Sequence, residues 1–300
     1  MPSKRGLCYG SSDTPPSPAE LALLASRGIT WFYNWHHSPP AALAPWTSGT
    51  DGMHFVPMLF SLRSDTTAVA AHLAALPEGS TQYILVLNEP NHKHQAWATP
   101  QEAAAHWVTW KKLAGGFAGD LRLVGPQLTY GSEMPEYSSP ERWMAAFLDA
   151  YRATHGRELR IHAIGFHFYG RQGLSKQLIK LNSEFGKPIW LTEFAYWKAA
   201  TLDEQKAWMK KYVNMCESSA CVERYSWFIG RSAARPLMSL LGEDCSLTEL
   251  GHYYASLPIR NEEAPAGGGG VQVKRTSANA RDQVTQINTQ QLQSVIFTYS

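Results

Sequence analysis

The sequence lacks long hydrophobic runs and clusters of like charge. A helix that spans a membrane needs about 20 consecutive apolar residues, and no such stretch occurs. The formal net charge is only +2, and lysine and arginine never stand more than two in a row. Because nucleic acids and anionic membranes are bound by clusters of basic side chains, neither is an expected partner.

Cysteine is also scarce, with four residues in 300 and no CxxC motif. None of the four has a histidine at the spacing of a metal site. Cys216 and Cys221 lie at a predicted junction between a helix and a loop, where a local disulfide and two buried thiols are both compatible with the spacing. The cysteines therefore do not indicate the cellular compartment.

The amino terminus leaves no room for a signal peptide, since Met-Pro-Ser-Lys-Arg runs directly into a strand-like segment. Either the protein stays in the cell, or its secretion signal lies outside this sequence. We expect the second case, a secreted or periplasmic protein.

Apolar residues are plentiful. Hydrophobic residues make up 44% of the chain and charged residues 17%, a composition that can bury a large core. The 11 tryptophans and 13 tyrosines are many for 300 residues. Their flat rings suit either a packed core or the apolar faces of sugars.

Eight short apolar runs alternate with helical patterns. The runs are residues 6–10, 29–35, 54–60, 83–89, 121–128, 161–169, 188–197 and 222–229. The helical patterns are residues 18–26, 64–76, 100–117, 140–155, 174–185, 202–219 and 248–257. Prolines at 39, 40 and 45 permit only a short helix between the second and third runs.

This alternation predicts a parallel sheet covered by helices, and eight repeats predict its closure into a (β/α)8 TIM barrel. An open doubly wound sheet is the alternative, but such a sheet is expected to carry a glycine-rich, phosphate-binding turn after its first strand. Tyr9-Gly10-Ser11-Ser12 is not such a turn. We expect the barrel to span residues 1–258, a Gly/Pro-rich linker 259–270, and a C-terminal extension 271–300 that forms a hairpin, a fragment of an accessory domain or a tail.

Two of the eight runs end in a glutamate. The fourth ends with Asn88-Glu89 and the seventh with Thr192-Glu193, and in a TIM barrel the carboxyl ends of the strands form the active site. A single glutamate at a strand end could simply cap the following helix or pair with a nearby basic residue. Two on nearly opposite sides of the ring are what cleavage of a glycosidic bond requires.

These motifs resemble the clan A glycoside hydrolases. Together with Asn-Glu-Pro-Asn at 88–91, Gly-Phe-His-Phe-Tyr at 165–169 and Trp-Leu-Thr-Glu-Phe at 190–194, residues 6–257 resemble glycoside hydrolase family 128, a family of β-1,3-glucanases. The resemblance implies retaining hydrolysis of β-1,3-glucan without a cofactor. It makes Glu89 the general acid/base and Glu193 the nucleophile.

The resemblance also implies roles for neighbouring residues. Asn88 would bind the sugar 2-hydroxyl, Tyr169 would donate to Glu193, and His167 would contact the sugar or support the site. Trp227 would form a hydrophobic platform beside the scissile bond. Further expected substrate-binding residues are Trp35, Tyr33, Tyr196 and Trp197. Each aromatic could instead belong to the core, because side chains along a barrel strand alternate between its interior and the helix layer.

Geometry and protonation follow from the retaining mechanism. The two carboxyl groups should lie about 5–5.5 Å apart, whereas an inverting enzyme needs about 6.5–9.5 Å. At the shorter separation the like charges should raise one pKa, and we expect that of Glu89 to be the raised one.

Other readings remain open at this point. The chain could hydrolyse another β-linked polymer such as mannan or xylan, or be a non-catalytic β-glucan-binding barrel. His36-His37 and His92-Lys93-His94 lack a carboxylate or cysteine at ligand spacing, so no metal site is expected. The expected partner is a β-glucan polysaccharide or oligosaccharide, and the expected oligomeric state is monomeric.

Overall fold

The computed structural model describes residues 3–9, 17–40, 43, 53–76 and 81–260. The predicted linker and extension lie outside the described residues. So does most of the segment between the second and third predicted strands, where a short helix was expected.

Within the described residues, nine parallel strands form one sheet in the order β3-β2-β1-β9-β8-β7-β6-β5-β4. The strands are β1 (Arg5–Cys8), β2 (Trp31–Tyr33), β3 (His54–Phe55), β4 (Met58–Leu59), β5 (Thr81–Val86), β6 (Asp120–Leu128), β7 (Ala163–Phe168), β8 (Ile189–Phe194) and β9 (Val222–Phe228). The predicted parallel barrel is confirmed.

The count of nine arises because the third predicted strand is divided into β3 and β4. The N–H of Val56 donates to Phe32 O on one side, while the carbonyl of Pro57 accepts from Leu85 N on the other. Proline has no N–H to continue a ladder, so the segment changes partners at this point. The strand order begins at β3 and ends at β4. Because both belong to this one segment, the sheet closes into a ring.

Seven helices alternate with the strands in the part of the chain that is described. They are α1 (Pro18–Ser26), α2 (Thr66–Ala74), α3 (Pro100–Gly115), α4 (Pro140–His155), α5 (Leu174–Phe185), α6 (Leu202–Ser218) and α7 (Glu249–Ser256). Ser17 and Thr99 each begin a helix with a capping box, and Ser139 caps α4. These start signals are why the predicted and observed starts of α1, α3 and α4 coincide.

The amino-terminal end of the barrel is filled by aromatic rings around one arginine. The guanidinium of Arg224 lies 4.5 Å from the ring centre of Tyr83 and 4.6 Å from that of Trp190. Stacking on both rings stabilises a cation that is nearly fully buried. The open end of the barrel is the opposite one, where the strands end.

The structure answers the question that the sequence left open about Cys216 and Cys221. Cys216 and Cys221 are both free thiols, so no local disulfide joins them. No helix in the described ranges is long and apolar enough to cross a membrane.

Candidate active site

A cavity of about 520 Å3 opens at the carboxyl ends of the strands. Its size falls in the range typical of ligand-binding clefts. It is lined by Trp35, Phe60, Asn88, Glu89, His92, Gln95, Thr129, Tyr130, Tyr169, Glu193, Trp197 and Phe228. The predicted convergence of Glu89 and Glu193 at one end of the barrel is confirmed.

Glu193 sits near the end of β8, held by three hydrogen-bond donors. Its Oε1 accepts from Trp35 Nε1 at 2.8 Å and from Tyr33 OH at 3.1 Å. Its Oε2 accepts from Tyr169 OH. Donors aimed at both oxygens fix the orientation of this nearly buried carboxylate.

Glu89 follows β5 at a turn in left-handed backbone, with a φ of 42°. Its N–H donates to the carbonyl of Gln127 at 3.0 Å, which ties the turn to β6. Its Oε1 lies 2.7 Å from His167 Nδ1. Glu89 is more exposed to the cavity than Glu193 is, at side-chain accessibilities of 15% and 6%.

His167 lies between the two carboxylates. Its Nδ1 is 3.4 Å from Glu193 Oε2, because β7 and β8 pair in a register that sets His167 beside Glu193. One donor or acceptor atom from each of Glu89, His167 and Glu193 lies within 4.8 Å of the other two. The two carboxylates are therefore close neighbours across the cavity floor.

This arrangement overturns the expected protonation of Glu89. Burial acts to raise the pKa of Glu89, but the hydrogen bond and positive charge of His167 outweigh it, so the pKa is lowered. Burial acts to lower the pKa of His167, but the charge of Glu193 and the hydrogen bond to Glu89 raise it overall. The expectation of a raised pKa at Glu89 is thus wrong for the free protein, because the neighbouring imidazole of His167 outweighs the effect of burial.

The same three residues form the group best placed to hold a metal ion among the described residues. Oε1 of Glu193 already accepts two hydrogen bonds and Oε2 accepts one, which leaves few of its lone pairs for a metal ion. His36-His37 and His92-Lys93-His94 do not combine into a second such group in the described ranges. We assign no metal to the site.

Asn88 lines the cavity as predicted. Its Nδ2 donates to Gln95 Oε1 at 2.9 Å. Its Oδ1 has no hydrogen-bond partner within the described part of the chain. The hydrogen bond to Gln95 therefore holds the Asn88 side chain in place and leaves its Oδ1 free to accept a hydrogen bond.

Aromatic side chains form one wall of the cavity. Trp35 and Phe228 meet edge to face with ring centres 6.0 Å apart, and Tyr169 packs on Phe228 at 5.3 Å. Trp197 extends this wall to the rim, where 40% of its surface is exposed. Arg235 covers one face of Trp197 at 3.8 Å from the ring centre.

Trp227 is not part of this wall, and its predicted role as a substrate platform is wrong. Its side chain is fully buried and packs against Phe194 and Trp208 in the layer between sheet and helices. Its Nε1 donates to the carbonyl of Met238 at 2.8 Å. The next residue, Phe228, reaches the cavity instead.

Three other predicted substrate-binding residues also lie behind the cavity surface. Tyr33 is fully buried, and its hydroxyl contacts Glu193. His167 is 1% exposed and contacts both glutamates. Tyr196 stacks on Trp208, with ring centres 6.3 Å apart. Tyr33 and His167 belong to the site through the carboxylates they touch, and Tyr196 does not line the cavity.

Several lining residues were not predicted. They are Phe60, His92, Gln95, Thr129, Tyr130 and Phe228. Phe60, Thr129 and Phe228 end or directly follow a strand, so the rule that led to Glu89 and Glu193 could have found them. His92 and Gln95 lie in a loop whose path only the structure reveals.

A family model for the glycosyl hydrolase catalytic core matches residues 6–254. With a barrel of this kind and a paired-glutamate site at its open end, the chain is a glycoside hydrolase. It is 37% identical to a GH128 (subgroup II) endo-β-1,3-glucanase from Pseudomonas viridiflava, with a TM-score of 0.75 over 86% of this chain and 98% of that chain. A GH128 (subgroup II) endo-β-1,3-glucanase from Sorangium cellulosum is 32% identical, with a TM-score of 0.74 over 86% and 100%. The chain belongs to glycoside hydrolase family 128.

One relative is a longer protein. Alkali-sensitive linkage protein 1 of Schizosaccharomyces pombe is 28% identical over 248 residues, or 77% of this chain. The match covers 41% of that protein, so this chain spans about two fifths of its length.

Proposed function

We propose that this protein hydrolyses β-1,3-glucan with retention of anomeric configuration. The observation that carries the proposal is the approach of one carboxylate oxygen of Glu89 to within 4.8 Å of one carboxylate oxygen of Glu193. This approach is compatible with the carboxyl separation of about 5–5.5 Å in retaining enzymes and favours it over the about 6.5–9.5 Å of inverting ones. The linkage is suggested by the two family members named above as endo-β-1,3-glucanases.

In the first step, Glu193 attacks the anomeric carbon while Glu89 protonates the departing glycosidic oxygen. Tyr33, Trp35 and Tyr169 hold the attacking carboxylate in one orientation. The bond that forms is the ester between Glu193 and the sugar.

The proton for this step is supplied by His167. A sugar ring in the cavity excludes water from Glu89, which adds to the burial that already acts to raise its pKa. The proton then moves from His167 Nδ1 to Glu89 Oε1 along their 2.7 Å contact. In the second step Glu89 takes a proton from water as the water oxygen attacks the anomeric carbon and the ester bond to Glu193 breaks. The proton returns from Glu89 to His167 when the product leaves.

The substrate binds against the aromatic wall formed by Trp35, Tyr169, Trp197 and Phe228. Such rings stack on the apolar faces of sugars, and the spare oxygen of Asn88 accepts from a sugar hydroxyl. A curved β-1,3-glucan chain would lie against this wall with its scissile bond over Glu89 and Glu193.

The proposal is tested by incubating the purified protein with laminarin, mannan and xylan in parallel, and by following the first product anomer by NMR. We expect β-configured oligosaccharides from laminarin. Glu193→Gln should abolish this activity, whereas Glu223→Gln, which alters a Glu–His pair away from the cavity, should not. An α-anomer as first product would refute retention, and preferential hydrolysis of mannan or xylan would refute the assigned linkage.

A further inference from the structure

We propose that Gln127 is the positioning residue that sets the separation of Glu89 and Glu193. The inference rests on the proposed function of those two glutamates. Gln127 lies near the end of β6 and is fully buried, and it touches neither the cavity nor a carboxylate. Its backbone bonds the turn that carries Glu89, and its side chain bonds Thr192, the residue that precedes Glu193.

A bulge aims Gln127 into the barrel. The register between β6 and β7 shifts between Val124 and Gln127, across Gly125 and Pro126. Bulges of this kind re-aim a side chain and are common next to active sites. The amide nitrogen of Gln127 then donates to Val124 O at 2.8 Å, which fixes which way the amide faces.

The backbone of Gln127 holds the turn that carries Glu89. Its N–H donates to Leu87 O at 2.9 Å, and its carbonyl accepts from Glu89 N at 3.0 Å. Leu87 and Glu89 both have positive φ, at 55° and 42°. Residues other than glycine keep such a conformation only where their surroundings impose it, and these two bonds impose it here.

The side chain of Gln127 reaches the other glutamate's strand. Its Oε1 accepts from Thr192 Oγ1 at 2.7 Å, and Thr192 directly precedes Glu193. The register of β8 also shifts between Leu191 and Phe194, so this stretch is not held by regular pairing alone. The bond to Gln127 therefore fixes a part of β8 that the ladder leaves irregular.

To make this contact, Gln127 must cross β7, which lies between β6 and β8 in the sheet. The residue it crosses is Gly165, its register partner on β7. A Cβ at Gly165 would lie 1.9 Å from Gln127 Oε1, so a side chain there would block the crossing. Position 165 of the 165–169 motif is therefore a glycine because the Gln127 side chain crosses β7 there.

The experiment compares variants on both sides of the bond. Thr192→Val removes the hydroxyl that reaches Gln127, and Thr192→Ser keeps it. Gln127→Leu removes the amide. The matched control is Gln82→Leu, which removes an equally buried glutamine at the closed end of the barrel, where its Nε2 donates to Phe55 O at 3.2 Å.

We expect Thr192→Val and Gln127→Leu each to lower kcat about 10- to 100-fold, since a misplacement of about 1 Å can cost that much. KM should change less than about threefold, because the aromatic wall is untouched. Thr192→Ser should stay within about threefold of the parent. The double variant Thr192→Val/Gln127→Leu should be no slower than the slower single variant, since both remove one bond.

A second readout does not depend on the substrate. In crystal structures, the carboxylates of Glu89 and Glu193 should move apart or rotate in Thr192→Val and Gln127→Leu but not in Gln82→Leu. A protein inactive on every β-glucan would refute the proposed function, and this separation would still judge the role of Gln127. Equal kcat in Thr192→Val, Thr192→Ser and Gln82→Leu, or an unchanged carboxylate separation, would overturn the inference. The two Thr192 variants decide the matter if Gln127→Leu fails to fold.

Discussion

Trp227 and Trp197 make a matched test of which tryptophan serves the cavity. Replacing each by alanine removes the same side chain, but the two sit in opposite environments. Trp227 is fully buried between the sheet and the helices, whereas Trp197 lies at the cavity rim with 40% of its surface exposed. The first change should therefore act on stability and the second on catalysis.

The magnitudes follow from these environments. Truncation of a buried tryptophan to alanine costs about 3–5 kcal/mol, and the carbonyl of Met238 also loses its donor. In a domain of this size each kcal/mol lowers Tm by about 2–4 °C, so Trp227→Ala should melt about 6–20 °C below the parent. Loss of ring stacking at Trp197 is worth about 0.5–1.5 kcal/mol, which corresponds to a roughly two- to thirteenfold fall in kcat/KM.

The assays are thermal unfolding followed by circular dichroism and initial rates on laminarin oligosaccharides. Trp227→Phe is the milder variant if the alanine variant does not fold. A Trp227→Ala protein with the parent's Tm and a raised KM would show that Trp227 contacts substrate after all. That result would refute the assignment of its side chain to the helix layer.

Three further outcomes are expected. Glu193→Gln should keep the fold but lower kcat by several orders of magnitude, and a rate within about tenfold of the parent would remove it as nucleophile. The same change should lower the pKa of His167 in an NMR titration, since the charge of Glu193 is its main raising cause, while Glu223→Gln should leave that pKa unchanged. Because the pKa of His167 is raised by folding, its stabilising contribution should be complete below about pH 6.5 and disappear as the pH rises through the folded value, as measured by urea unfolding.

The fold could be predicted because its signals are local. Ser17, Thr99 and Ser139 each stand before a proline and cap the helix that follows. Apolar runs bounded by such signals give the strand–helix alternation directly. The split of the third strand at Pro57 depends on which neighbours its two halves meet, and that is a property of the closed ring.

The two glutamates could be predicted because their position at strand ends is enough to place them in the site. The role of Trp227 could not be predicted in the same way. Strand parity sets Tyr225 and Trp227 on one side of β9, but the sequence does not say which side faces the barrel. Ser226 takes the interior side, where its hydroxyl donates to Thr192 O, and this assigns Trp227 to the helix layer.

The protonation of the site shows why reasoning from the two glutamates alone gave the wrong direction. Two carboxylates at this distance repel, and with no other charge nearby one of them must hold a proton. The register of β7 against β8 places His167 beside both, so the proton has a more basic site to occupy. A positive charge on His167 beside two carboxylates would give the three groups the net charge of one carboxylate, as a glutamic acid and a glutamate would. In the mechanism proposed above, the short separation that retention needs does not require a protonated glutamate in the free protein, and Glu89 becomes the acid when a sugar displaces water from it.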